Sequence, residues 1–167
     1  GELDAIATTS VKSGVPAFYS DAYVEYHNVA VALASRQLQI THIADMARYS
    51  VSSFQRARYL LGSEFQVMAE RNPQYREEAL QINRNRLLYS GRVDLIVCDV
   101  RIFKYFNASV ADQVDVSQPL TYFKLFSSTP YSVGFRQSGP REQFNQGLEA
   151  LRASGDYQRI QQRYAEP

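Results

Sequence analysis

The chain has 167 residues, which is enough for one domain or for two small lobes with a stable core. Hydrophobic residues make up 45% and charged residues 21%, which are ordinary values for a globular protein. The formal net charge of +1 argues against nucleic acid and anionic membranes as partners, because both require clustered Lys and Arg. No stretch approaches the roughly 18 apolar residues of a membrane span, and the single Cys98 excludes an internal disulfide.

The first third of the chain predicts strands separated by polar segments. Three stretches have the apolar character of strands: residues 3–8, 28–33 and 49–53. Gly14 and Pro16 indicate a loop over residues 12–21. Thr41 is a suitable cap for a short helix over residues 41–46.

Two helices are predicted in the middle of the chain. Residues 55–71 carry apolar side chains at helical spacing, interrupted by Gly62. Residues 77–89 are predicted to form the next helix. We expect the adjacent carboxylates of Glu77 and Glu78 to lie on its solvated face.

Residues 87–106, LLYSGRVDLIVCDVRIFKYF, predict a helix end, a turn at Gly91, a buried strand over residues 93–98 and a new amphipathic segment. Asp99 closes the strand at its carboxyl end, where open α/β sheets place their ligands. A carboxylate there can contact a cationic ligand group. It can equally cap the helix that begins near Arg101, and both roles are compatible with the local sequence.

The last third predicts strands over residues 120–126 and 131–135 and a turn over residues 138–140. A long amphipathic helix over residues 141–164 follows, with a break near Gly155. Strands that alternate with helices predict an α/β fold with a mainly parallel sheet.

The residues give little support for catalysis. His27 and His42 have no Cys or carboxylate at metal-ligand spacing around them. The sequence contains neither a glycine-rich phosphate loop nor a G-x-S-x-G motif. We therefore expect no catalytic residue, no metal site and no cofactor.

Three motifs resemble the family-3 extracellular solute-binding proteins, which are periplasmic amino-acid receptors of ABC importers and related sensor domains. They are FYSDAY at residues 18–23, GRVD at residues 91–94 followed by Asp99, and the closing FNQGLEALRASGDYQRIQQRY at residues 144–164. The resemblance implies the periplasmic-binding-protein type II fold and a small polar, amino-acid-like ligand held between two lobes. It also implies a periplasmic or membrane-tethered extracytoplasmic location, and an ABC permease or a fused membrane sensor module as partner.

The resemblance begins partway through the family's pattern. It implies that residues 1–29 are a remnant of lobe 1 with the first hinge strand, and that residues 30–121 are a complete lobe 2. Residues 122–167 would be the second crossing and the carboxyl-terminal part of lobe 1. The amino-terminal part of lobe 1 would then be missing. We expect the exposed sheet edge of such a lobe to favour a dimer.

Only some of the family's binding residues have counterparts in this chain. Its Asp at the end of the lobe 2 strand, which takes the ligand's ammonium group, corresponds to Asp99. Its carboxylate-binding Arg has no counterpart between Gly1 and Tyr23, where Lys12 is the nearest cation. A Lys ammonium cannot reproduce bidentate recognition of a carboxylate.

The family's second carboxylate anchor is a Gly-Thr pair that opens the first helix of lobe 2. Arg56-Ala57 stands there in this chain, preceded by Phe54 and Gln55. Gln55 and Arg56 are either new polar contacts for the ligand or a solvated first turn. These substitutions argue against recognition of a free α-amino acid in the family's manner.

Two other functions fit the same resemblance. One is an enzyme or accessory domain on this fold, either dehydratase-like or associated with a peptidoglycan hydrolase. It would need an acid–base pair, for which only Asp99 and Lys12 are available. The other is the effector domain of a transcription regulator, against which the closing motif argues.

Overall fold

The computed structural model describes residues 3–164 and divides the chain into two compact units. Unit 1 comprises Gly1–Tyr26 and Ser128–Pro167, and unit 2 comprises His27–Ser127. The assignment of residues 1–29, 30–121 and 122–167 to lobes of a binding protein stays a prediction. None of the helices in the described part of the chain is long and apolar enough to span a membrane.

The described residues contain both strands and helices throughout. The strands are β1 (Ala5–Thr9), β2 (Phe18–Tyr19), β3 (Val24–Tyr26), β4 (Asn28–Leu33), β5 (Val51–Phe54), β6 (Tyr75–Glu78), β7 (Leu95–Asp99), β8 (Leu120–Phe123) and β9 (Thr129–Phe135). The α-helices are α1 (Ala57–Leu60), α2 (Ser63–Arg71), α3 (Gln81–Tyr89), α4 (Val100–Ala108), α5 (Ser138–Ala153) and α6 (Asp156–Arg163). Short 3-10 helices cover Val11–Ser13, Ala34–Arg36 and Ile43–Arg48.

Unit 2 is built on a five-stranded sheet with the order β6-β5-β7-β4-β8. β5 runs parallel to β6 and β7, whereas β4 runs antiparallel to β7 and β8. The α/β class is therefore confirmed, but the prediction of a mainly parallel sheet is wrong. All six residues of β4 are buried. A strand that is covered on both faces is apolar throughout, whether it pairs parallel or antiparallel with its neighbours, so its sequence does not reveal its direction.

The alternating side chains of the unit 2 sheet supply two cores. On one face, the sheet residues Ala30, Val51, Leu95 and Val97 belong to one cluster with Phe65 and Met68 of α2. On the other face, Val29, Val31, Ile96 and Cys98 form a cluster with Leu88 of α3 and Phe103 of α4. Burying each large apolar side chain contributes about 1.5–3 kcal/mol, so the packing of helices on both faces stabilises the sheet.

Unit 1 is organised around β9, which pairs antiparallel with β1, β2 and β3. The Tyr157 hydroxyl of α6 donates a 2.8 Å hydrogen bond to the carbonyl of Tyr23, and the ring of Phe144 in α5 packs edge-on against that of Tyr23. The predicted break near Gly155 is confirmed, because Gly155 has a φ of 79° between α5 and α6. Glycine adopts this left-handed conformation without strain.

The predicted helix over residues 77–89 is wrong at its start. Tyr75–Glu78 form β6, and α3 begins only at Gln81. Parallel pairing with β5 places Tyr75 opposite Val51, and this tertiary contact overrides the weak local preference of a Glu-rich segment for helix.

Two other local predictions need correction. The predicted turn over residues 138–140 is the first turn of α5, where Pro140 is tolerated because the first amides of a helix have no partner within the helix. The predicted helix over residues 41–46 is a 3-10 helix over Ile43–Arg48, and its amino-terminal cap is His42 rather than Thr41.

Candidate functional site

The strands of unit 2 bring several polar side chains to one edge of the sheet. β5, β6 and β7 all end there, and β4 begins there because Asn28 pairs with Asp99. Ligands of open α/β sheets bind outside the carboxyl ends of the strands. We call this region the carboxyl-end edge; it consists of residues 27–28, 54–58, 77–78 and 99–101.

Asp99 caps α4 with a fully engaged carboxylate. Its Oδ1 accepts hydrogen bonds from the amides of Arg101 (2.9 Å) and Ile102 (3.1 Å), and its Oδ2 accepts one from the amide of His27 (2.7 Å). The residue is only 3% exposed. Asp99 therefore caps α4, as one of its two possible roles predicted. A contact between Asp99 and a ligand stays a prediction, and the ligand would have to bond to Oδ2 alongside the amide of His27.

Glu77 is the most extensively bonded acid of the carboxyl-end edge. Its Oε2 accepts a 2.7 Å hydrogen bond from the amide of Arg56. Its Oε1 accepts from the amide of Arg58 (3.2 Å), from Nε of Arg58 (3.3 Å) and from the hydroxyl of Tyr75 (2.9 Å). Glu77 therefore ties the end of β6 to the β5–α1 turn, which comprises residues 55–58.

The electrostatics of this cluster keep Glu77 ionised. Partial burial raises the pKa of Glu77, but the hydrogen bonds from Arg56, Arg58 and Tyr75 together outweigh burial and lower it below its ordinary value. Burial and the neighbouring carboxylate raise the pKa of Tyr75, which stays a hydrogen-bond donor.

Arg56 has a left-handed backbone, with a φ of 65°. This conformation is costly for a side chain with a Cβ, and such strain is held where surrounding contacts over-determine it. The bond from its amide to Glu77 is one such contact. A left-handed residue that leads into a helical turn points successive amides toward one spot, which is a favourable arrangement for an anion. Here that anion is the carboxylate of Glu77.

The other predicted site residues are placed as follows. Phe54 is half-buried and packs against the core beneath the edge, whereas Gln55 is exposed on the turn beside Arg56. Lys12 is exposed on the 3-10 helix Val11–Ser13 of unit 1. The structure thus places Phe54, Gln55, Arg56 and Asp99 on one edge of unit 2, and their contact with a ligand stays a prediction.

Asn28 is a polar residue of this edge that the sequence did not single out. It is 2% exposed, and within residues 3–164 neither its Oδ1 nor its Nδ2 has a hydrogen-bond partner. An amide buried without partners is costly, and in native proteins it requires an explanation such as a bound ligand or water. The sequence signal was present, because Asn28 is the one polar residue of the strand NVAVAL.

The prediction that Glu77 lies on the solvated face of a helix is wrong, because Glu77 lies on β6 and is partly buried. Its partners, Arg56 and Arg58, lie about twenty residues earlier in the chain, and only the parallel pairing of β5 with β6 brings them together. No local sequence pattern indicates such a contact.

The described residues offer little for covalent or metal chemistry. Burial raises the pKa of Cys98 to about 12, which makes it an inert thiol. Across residues 3–164, no group of His, Cys, Asp and Glu side chains is arranged to hold a metal ion.

The fold has many counterparts among solved structures. An ancestral arginine-binding protein bound to arginine superposes with a TM-score of 0.75 at 19% identity, over 97% of this chain and 71% of that chain. A histidine kinase sensor domain with similarity to periplasmic binding proteins gives a TM-score of 0.72 at 17% identity, over 98% and 69% of the two chains. The ancestral amino acid-binding protein AncCDT-1, a precursor of cyclohexadienyl dehydratase, gives 0.71 at 17% identity, over 98% and 70%.

These likenesses establish the fold. The chain has the mixed α/β architecture of the type II periplasmic binding proteins, and its structural neighbours are amino-acid-binding proteins of that class. It spans about 70% of the length of these neighbours. No protein-family model and no curated protein sequence matches the chain.

Proposed function

We propose that this protein is a solute-binding module that binds a small polar solute at the carboxyl-end edge of unit 2. The observation that carries the proposal is the unpartnered amide of Asn28, which is buried beside Asp99 at the edge where open α/β sheets place their ligands. A solute that hydrogen-bonds to Asn28 would satisfy an amide that otherwise stays buried at a cost.

The biological role that we propose is extracytoplasmic, most simply in the periplasm. The module would deliver its solute to an ABC permease or signal through a fused membrane sensor module. Two neighbours support these alternatives, since one is the substrate binding protein of an amino acid ABC transporter and the other is a histidine kinase sensor domain.

We propose binding rather than catalysis. The neighbour that is a precursor of cyclohexadienyl dehydratase makes an enzyme on this fold a relevant alternative. General acid–base catalysis requires a group that can exchange a proton with the substrate. Glu77 and Asp99 are the two acids of this edge that each accept hydrogen bonds from several backbone amides. Their carboxylate oxygens are therefore already bonded to the protein's own backbone.

We also propose self-association through unit 1. Four large apolar side chains of its first strands and connections are exposed: Leu3, Ile6, Val11 and Phe18. β1, at one end of the unit 1 sheet order, has four of its five residues exposed. Exposed apolar side chains beside an open strand edge favour pairing with another chain.

Light scattering should give a mass above that of one chain, and a uniform monomer would refute this part of the proposal.

The binding proposal is tested by a thermal-shift screen followed by calorimetry. The panel would contain L-amino acids, their carboxamides and primary amines. We expect one class of these probes to raise the melting temperature, and Asn28→Leu to weaken its binding at least about tenfold, which corresponds to about 1.4 kcal/mol. Failure of every probe to bind, or equal affinity in Asn28→Leu, would contradict the proposal.

A matched control lies at the other end of β7. Asp94 accepts hydrogen bonds from the amide (3.0 Å) and hydroxyl (2.7 Å) of Ser50, so Asp94→Asn disturbs a polar side chain of the same sheet at its opposite end. Because Asp94 precedes β7, away from the carboxyl-end edge, this variant should keep the wild-type affinity.

A further inference from the structure

The β5–α1 turn holds an anion that belongs to the protein itself. The carboxylate of Glu77 accepts from two backbone amides of this turn, those of Arg56 (2.7 Å) and Arg58 (3.2 Å). It also accepts from Nε of Arg58 (3.3 Å) and from the hydroxyl of Tyr75 (2.9 Å). These are the kinds of donor that recognise the carboxylate of a ligand: converging amides and a guanidinium.

The position of the cluster gives this contact a consequence for binding. Phe54 and Glu78, which pair at the ends of β5 and β6, place the turn at the carboxyl-end edge. A solute carboxylate that approached the turn would find its amides already bonded. It would also meet the negative charge of Glu77, and like charges at close range repel.

We propose that Glu77 is a specificity-determining residue whose carboxylate takes the place of a solute carboxylate in the β5–α1 turn. The carboxyl-end edge consequently accepts polar solutes that carry no free carboxylate, such as amines and carboxamides. The solute class rests on the proposed binding function, whereas the occupation of the turn by Glu77 can be tested without any solute.

Glu78 provides a matched control within the same strand. It is the next residue of β6, and its carboxylate forms a 3.4 Å ion pair with Arg76 on the strand itself. Removal of Glu78 therefore deletes an equal charge at almost the same place but should leave the amides of the turn bonded to Glu77.

The first experiment is chemical rescue with formate, the smallest carboxylate. The melting temperatures of the wild type, Glu77→Ala and Glu78→Ala would be measured in sodium formate and in sodium chloride at equal ionic strength. We expect formate to raise the melting temperature of Glu77→Ala by about 2–4 °C relative to chloride, and to leave the other two proteins unchanged. Equal values for Glu77→Ala in the two salts would overturn the proposal.

If Glu77→Ala is unfolded in chloride, the same comparison is made by circular dichroism. Recovery of the folded signal in formate, but not in chloride, is the expected result. Failure to recover in formate would overturn the proposal as well.

The second experiment compares each L-amino acid with its carboxamide by calorimetry on the wild-type protein. We expect a carboxamide or a simple amine to bind at least about tenfold more tightly than the matching free amino acid. Equal or tighter binding of the free amino acid would overturn the solute class. Successful formate rescue in a protein that binds no probe would instead reject the proposed function and the solute class, and would support only the occupation of the turn by Glu77.

Discussion

The carboxylate of Glu77 accepts a 2.7 Å hydrogen bond from the backbone amide of Arg56, a residue 21 positions earlier in the chain. This contact joins the ends of two neighbouring parallel strands and holds Arg56 in its left-handed conformation. Glu77 thus bonds to the backbone of the β5–α1 turn and places a carboxylate beside it.

The left-handed backbone of Arg56 predicts a large difference between two substitutions. Arg56→Gly relieves the strain at φ 65°, whereas Arg56→Val places a β-branched side chain in a conformation that it strongly disfavours. Because both variants lack the guanidinium, their comparison isolates the backbone. Urea denaturation should show Arg56→Val to be less stable than Arg56→Gly by about 1–2 kcal/mol. Equal stability would mean that the turn is not held in this conformation.

The stability contribution of Glu77 should depend on pH. Its hydrogen bonds lower its pKa in the folded protein below the ordinary value of 4.5, so its contribution is complete above that value and is lost as the pH falls through the lowered folded pKa. At neutral pH, we expect Glu77→Gln to cost about 1.5–3 kcal/mol. The gap between wild type and variant should shrink in urea titrations as the pH falls below 4.5 and through the lowered folded pKa. A gap that does not change as the pH falls below 4.5 would contradict an ionised, hydrogen-bonded Glu77.

Asp99→Asn should destabilise the protein because the carboxylate accepts from three backbone amides. An Asn side chain offers one acceptor oxygen and turns its own donor group toward the remaining amides. We expect a loss of about 1.5–3 kcal/mol in the free energy of unfolding, measured by urea denaturation. A loss below about 0.5 kcal/mol would contradict the capping role, because changes of that size are typical of surface sites. Asp115→Asn is a suitable control, since Asp115 is exposed and its carboxylate bonds only to nearby Ser117 in the described contacts.

Asn28→Leu should stabilise the protein without solute by about 1 kcal/mol, because it removes a buried amide that has no partner in the described part of the chain. The matched control is Asn72, which is 4% exposed. Its Nδ2 donates to the carbonyl of Tyr49 (2.9 Å) and its Oδ1 accepts from the amide of Gln74 (2.8 Å). Asn72→Leu should therefore destabilise the protein by about 1–3 kcal/mol. Thermal denaturation of both variants checks the prediction, and destabilisation of equal size in both would refute it.

Local sequence patterns predicted the elements that local physics determines. The apolar strand Asn28–Leu33 and the helix break at Gly155 appear where they were predicted. Two roles for Asp99 were compatible with the local sequence, and in the structure Asp99 caps α4. In these cases, apolar character, backbone conformation and hydrogen bonding all act within a few residues.

The remaining features depend on contacts between distant segments. β6 forms because β5 offers a parallel partner, although Glu77 and Glu78 were predicted to begin a helix. The antiparallel direction of β4 depends on chain topology, which a fully buried strand does not reveal. For the same reason, the hydrogen bonds between Glu77 and the β5–α1 turn could not be predicted without knowing that β5 pairs with β6.

The proposed function depends on the binding of a small polar solute at the carboxyl-end edge of unit 2. Its most direct test is amide chemical-shift mapping of the isotope-labelled protein with the probe that gives the largest thermal shift in the panel of amino acids, carboxamides and amines. We expect the largest shifts on residues 27–28, 54–58, 77–78 and 99–101, and we expect them to disappear in Asn28→Leu. Shifts that fall elsewhere in the chain, or that persist unchanged in Asn28→Leu, would contradict the proposed function.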